Sequence, residues 1–128
     1  MNLEQFYQNR RGDYPSMIKR FKQEERLMRY LYRVEEDCAL PSVEEALRQG
    51  RTGEAFRLAH SLKGACLNLG LSDLLECAAT LTEQLRPFSE GSRILRHEEE
   101  QEVWEELKEA EEVYGKILED LHNLEKRS

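Results

Sequence analysis

Residues Thr52 to Gly70 read TGEAFRLAHSLKGACLNLG, and their periodicity decides the fold. At 3.6 residues per turn, each residue advances about 100° around a helix. On that wheel Ala55, Leu58, Ala59, Leu62, Ala65, Cys66 and Leu69 fall in one half-circle and form the expected core face. His60, Lys63, Gly64 and Leu67 fall on the opposite side, with Phe56 and Arg57 beside them. A face that only meets water rarely has this composition. An interior glycine costs about 1 kcal/mol relative to alanine, and Phe56 and Leu67 leave apolar surface uncovered. Apolar residues grouped around a glycine and basic side chains describe a docking surface. Gly64 would let a partner's backbone come close to His60.

The flanking segments are helical as well. Gly70 is the expected stop of the central helix. Ser72 or Asp73 starts the next one, which carries Leu74, Ala78, Leu81 and Leu85 and ends at Pro87. Residues 88–97 form the longest connection. The last helix is expected over about 98–124, where Val103, Leu107, Ala110, Tyr114, Ile117, Leu121 and Leu124 alternate spacings of four and three. Its long row of glutamates is a solvated face.

Toward the N-terminus, Ser42-x-x-Glu45 reads as a capping box for a helix bearing Val43, Ala46 and Leu47, stopped by Gly50. Thr52 is the expected cap of the central helix. Leu27, Leu31, Val34 and Cys38 predict one helix over 24–38, interrupted by Pro41. Asp13 followed by Pro15 starts a short helix with Met17, Ile18 and Phe21, and a first turn or short helix covers 3–8. The fold class expected is all-α: one domain over 1–128, an antiparallel four-helix bundle over 24–125 with additional short N-terminal helices in 1–23.

Composition excludes several classes of function. The formal net charge is −7, the reverse of the basic field of a nucleic-acid binder. No apolar run approaches the roughly 20 residues of a membrane span. The opening MNLEQFYQNRRGDYP has no apolar core of a signal peptide, so a cytoplasmic location is expected. Cys38, Cys66 and Cys77 are odd in number, widely spaced and set in apolar patterns, which reads as reduced core thiols. No two histidines share ligand spacing, so neither a metal nor another cofactor is expected. His97 and His122 lack neighbours comparable to those of His60.

The chemistry open to His60 is phosphoryl transfer. Neutral imidazole is a nitrogen nucleophile near neutral pH. Lys63, at i+3 on the same face, can reach the oxygens of a phosphoryl group on the ring. Such transfer needs positioning and charge neutralisation above all.

Ala59-His60-Ser61-Leu62-Lys63-Gly64, then five residues, Gly70, and Leu74 and Leu81 at helical spacing resembles the signature of the histidine phosphotransfer (HPt) family. The resemblance implies a four-helix bundle whose second helix presents His60. It implies a phosphocarrier without catalytic activity of its own, which accepts phosphate from one receiver-domain aspartate and passes it to another. Any Mg²⁺ belongs to the receiver. Lys63 would steady the phosphoryl group and Gly64 would permit close docking, alongside Phe56, Arg57 and Leu67. The family often has Glu or Gln where this chain has Thr82, so the residue that orients His60 is left open among Thr82, Gln84 and Arg86. The expected partner is the receiver domain of a response regulator or hybrid kinase, met by a monomer. The alternative is a helical adaptor that binds a receiver without accepting phosphate, though it would not need both His60 and Lys63. An autonomous kinase fits poorly, because no Gly-rich phosphate loop is present.

Overall fold

The computed structural model describes every residue except His97, Glu99 and residues 125–128. Eight α-helices occur in order among the described residues: α1 (Leu3–Asn9), α2 (Tyr14–Phe21), α3 (Glu24–Tyr32), α4 (Val34–Asp37), α5 (Leu40–Arg48), α6 (Thr52–Leu69), α7 (Ser72–Leu85) and α8 (Gln101–His122). A 3-10 turn over Arg86–Phe88 follows α7. The helices α5 to α8 form the bundle. Helix α6 packs most extensively on α7 and then on α5, and α7 in turn packs on α8. One continuous apolar core runs through all of them, from Leu3 to Leu124.

The N-terminal helices belong to that core. Phe6 and Tyr7 are fully buried, and Met17 and Phe21 nearly so. The physical reason lies at the C-terminal end of α6, where the last carbonyls have no partner within the helix. The Tyr7 hydroxyl donates to the Leu69 carbonyl at 2.8 Å. Arg20 donates to the Asn68 carbonyl at 2.6 Å and to the Leu67 carbonyl at 3.3 Å. Gly70 ends α6 in the left-handed region at φ 68°, and its N–H bonds to the Cys66 carbonyl.

Arg10 completes the attachment. It is 2% exposed, donates to the Phe6 carbonyl at 2.8 Å and stacks over the Phe6 ring. Its guanidinium joins Asp73 of α7 at 3.3 Å and Asp120 of α8 at 2.7 Å. One buried arginine therefore ties α1 to two bundle helices.

Several local expectations are corrected. The helix expected over 24–38 is broken at Arg33 into α3 and α4. No glycine or proline marks the break. The bend brings Glu35 within 3.1 Å of His122 of α8 and Cys38 into hydrogen-bond contact with Tyr114. The box at Ser42 does not cap α5. That helix starts at Leu40 with Pro41 in its first turn and no side-chain cap, since proline's fixed φ suits a helix start. Thr52 is not a cap either: it is buried in the first turn of α6 and donates to the Gly91 carbonyl at 3.2 Å. The last helix begins at Gln101, three residues after the expected Glu98. Asp13 does cap α2, accepting from the Ser16 N–H.

Candidate functional site

Helix α6 places two contrasting faces back to back. Ala55, Ala59, Leu62, Cys66 and Leu69 are buried. Leu58 is only half-buried and Ala65 is exposed, against their expected place in the core. Ala65 lines an apolar groove with Tyr30 and Arg33. His60, Gly64 and Leu67 are exposed on the other side, Leu67 at 61%. Arg57 is exposed beside them, and Lys63 and Phe56 are half-buried.

The side chains near His60 come from two helices. The Phe56 ring lies one turn before His60, with ring centres 6.4 Å apart. From α7 side, the Arg86 guanidinium covers the Phe56 ring at 5.2 Å. Arg86 also grips Glu83 through two bonds of 2.9 and 3.0 Å. Those bonds, with a smaller contribution from Lys63, hold the Glu83 carboxyl below its ordinary range. Phe56, His60, Lys63, Glu83 and Arg86 thus share one surface across the α6–α7 seam. A Cβ built on Gly64 meets no atom within 4 Å, so the space over this turn is open.

None of the three residues named for orienting His60 hydrogen-bonds it. Thr82 is buried, and its hydroxyl donates to the Ala78 carbonyl at 2.6 Å. Arg86 is committed to Glu83 and Phe56. Gln84 stands about 200° around α7 from Thr82, and its Oε1 is buried with no hydrogen-bond partner among the described residues. Among the described residues His60 has no hydrogen-bond partner, and its ring is held only by its backbone and the neighbouring Phe56.

Of the other histidines, His122 pairs with Glu35 in α4, and His97 lies outside the described residues. Among the described residues no group of three His, Cys, Asp or Glu could hold a metal ion, and no helix is long and apolar enough to cross a membrane. Sequence reasoning missed Gly53. Its N–H bonds to the Gly91 carbonyl at 3.1 Å, and the 89–91 backbone lies directly on its Cα. It missed Arg10 as well, since nothing in the pattern of a short polar helix marks one arginine for burial.

No curated protein and no solved structure matches the chain. The family model of the Hpt domain matches residues 27–125, which takes in α4 to α8 whole, two thirds of α3, and the entire His60 surface. With most of the chain matched and an all-helical fold around it, the protein belongs to the Hpt domain family, the phosphocarrier modules of two-component phosphorelays.

Proposed function

We propose that this protein carries a phosphoryl group on His60 between receiver-domain aspartates. The observation that carries the reading is the open surface of α6: an exposed imidazole with Lys63 one turn away and free space over Gly64. A ring nitrogen of His60 attacks the phosphorus of an aspartyl phosphate. The N–P bond forms as the P–O bond to the aspartate breaks, and the carboxylate leaves as an anion. The second receiver reverses the step, its aspartate oxygen displacing the imidazole. Lys63 offsets the phosphoryl charge in both directions, and Phe56, Arg57 and Leu67 meet the receiver around the reacting atoms. The ring reaches its working orientation when the partner is bound, because no side chain among the described residues hydrogen-bonds it beforehand.

Incubation with a phosphorylated receiver domain tests this reading. The expected product is acid-labile, base-stable phosphate on the chain, lost in His60→Gln with helical content unchanged. Labelling that persists in His60→Gln rules out the assignment. Binding of the receiver with no phosphate on the wild-type chain supports the adaptor alternative.

A further inference from the structure

Two cations stand near the imidazole, and one carboxylate interacts with both. Helix α6 turns about 100° per residue, so Phe56 and Lys63 stand about 40° and 60° from His60 on the same flank. That flank meets the end of α7, because the Arg86 guanidinium lies over the Phe56 ring at 5.2 Å. Phe56 is in turn the ring neighbour of His60, at 6.4 Å between centres. Lys63 comes to this surface from α6, and Arg86 from the turn that follows α7.

Glu83 binds Arg86 through both of its oxygens. Nε of Arg86 donates to Oε2 at 3.0 Å, and Nη2 donates to Oε1 at 2.9 Å. The fork that grips this carboxylate is the one with which arginine also meets a phosphate. Lys63, one turn from His60, lowers the same carboxyl through its charge, so Glu83 stands within electrostatic reach of the phosphoryl site. Arg86 and Glu83 are 54% and 61% exposed, and packing fixes neither of them. An exposed pair of this kind adds little to the stability of a fold. Its consequence lies in the charge it places beside His60.

A phosphoryl group on His60 changes the balance. It brings about two negative charges and three acceptor oxygens. Arg86 is drawn to it and the Glu83 carboxylate is repelled by it. The arginine fork can serve the carboxylate or the phosphoryl oxygens, not both fully at once. A carrier must also give the phosphoryl group away again. Two cations free to close on it would oppose that step, and a carboxylate that competes for one of them loosens their hold.

We propose that Glu83 sets how firmly His60 keeps its phosphoryl group, by competing with that group for the Arg86 guanidinium. The proposal rests on the phosphotransfer reading above. Glu83 is a positioning residue: it touches no reacting atom and acts through Arg86. No bond is made or broken beyond the exchange of P–O for N–P already described, and the arginine only moves from one anion to another.

The test measures the partition of phosphate between the chain and a receiver domain, as the ratio of forward to reverse transfer rates. In Glu83→Gln the ratio should shift about fivefold toward the chain at low salt, with discharge to the receiver slowed. The shift should shrink as salt is added, because the charges are exposed. Arg86→Gln should move the ratio the other way. In the Arg86→Gln background the Glu83→Gln step should have a smaller effect, since the two side chains act as a pair. Thermal unfolding of Glu83→Gln should match wild type. An unchanged ratio in Glu83→Gln would overturn the proposal. Equal effects of Glu83→Gln with and without Arg86 would overturn it too, because Glu83 would then act by its own charge alone. Glu102→Gln, the same loss of charge on α8, should leave the ratio at its wild-type value; an equal shift there would reduce the effect to net charge and refute the role of Glu83. Failure of the phosphotransfer reading looks different: the wild-type chain itself then takes no phosphate from any receiver.

Discussion

At the scale of single residues, Lys63 and Glu111 show how place decides what a charge does. Lys63 sits one turn from His60, half-exposed, with Glu83 near enough to feel its charge. Lys63→Ala should slow phosphotransfer or shorten the phosphohistidine's lifetime while changing stability by no more than about 0.5 kcal/mol. Equal rates and lifetimes in the two proteins would reduce Lys63 to a solvated side chain. Glu111 faces Glu44 across α5 and α8. Partial burial, and then the hydrogen bond to Glu44, push its carboxyl up to about 7, while Arg48 holds Glu44 below its ordinary range. The folded protein therefore binds a proton that the unfolded chain releases near 4.5. A raised carboxyl contributes stability that is complete below the unfolded value and is lost as pH rises through the folded one. Glu111→Gln removes that loss. Its stability relative to wild type should grow from about pH 4.5 to 7 and level off above, as followed by denaturant unfolding across that range. A flat difference would show that the two carboxyls do not share a proton.

At the scale of an element, α6 contains two glycines with opposite duties. Gly64 has open space above it, so Gly64→Ala should stabilise the protein by about 0.4–1 kcal/mol by restricting the unfolded chain. Gly64→Gln should stay folded yet transfer phosphate poorly, because a displacement of about 1 Å between reacting groups can cost a hundredfold in rate. Wild-type transfer in Gly64→Gln would remove the docking role. Gly53 has no such freedom: a Cβ there would lie 2.9 Å from the Ser89 carbonyl oxygen and 3.2 Å from that of Gly91. Backbone on both sides must shift, so Gly53→Ala should cost about 1–3 kcal/mol. Thermal unfolding of the two alanine variants reads the contrast directly, one midpoint rising and the other falling.

At the scale of the whole molecule, the N-terminal helices are fastened to the bundle by groups that leave the apolar pattern unmarked. Arg10→Ala would strand the Asp73 and Asp120 carboxylates, whose side chains are only 17% and 16% exposed. Breaking a buried pair from one side costs about 3–5 kcal/mol, a large share of a small domain's stability. Unfolding by denaturant should show a midpoint far below wild type. A cost under about 0.5 kcal/mol would mean that α1 only rests on the bundle. The same attachment supports the phosphoryl site from beneath, since Tyr7 and Arg20 occupy the last carbonyls of the helix that carries His60.

Periodicity and local chemistry determined much of this protein by themselves. The 3.6-residue pattern in α6, α7 and α8 depends on side chains within a few turns, and the Hpt signature around His60 lies within a single helix and the start of the next. Gly50 and Gly70 ended their helices as read, because a left-handed residue is a local demand, met here at φ 74° and 68°. What sequence alone did not show depends on residues far apart in the chain. The break at Arg33 goes with contacts to α8, some 80 residues on, where Glu35 meets His122 and Cys38 meets Tyr114. The burial of Arg10 requires two carboxylates from α7 and α8, and the difference between Gly53 and Gly64 requires a loop that returns from residue 89. Thr82 is silent about His60 in sequence; only the structure shows its hydroxyl already bonded to Ala78. A helix wheel assigns sides to one helix, but which of those sides is covered depends on where the other helices lie.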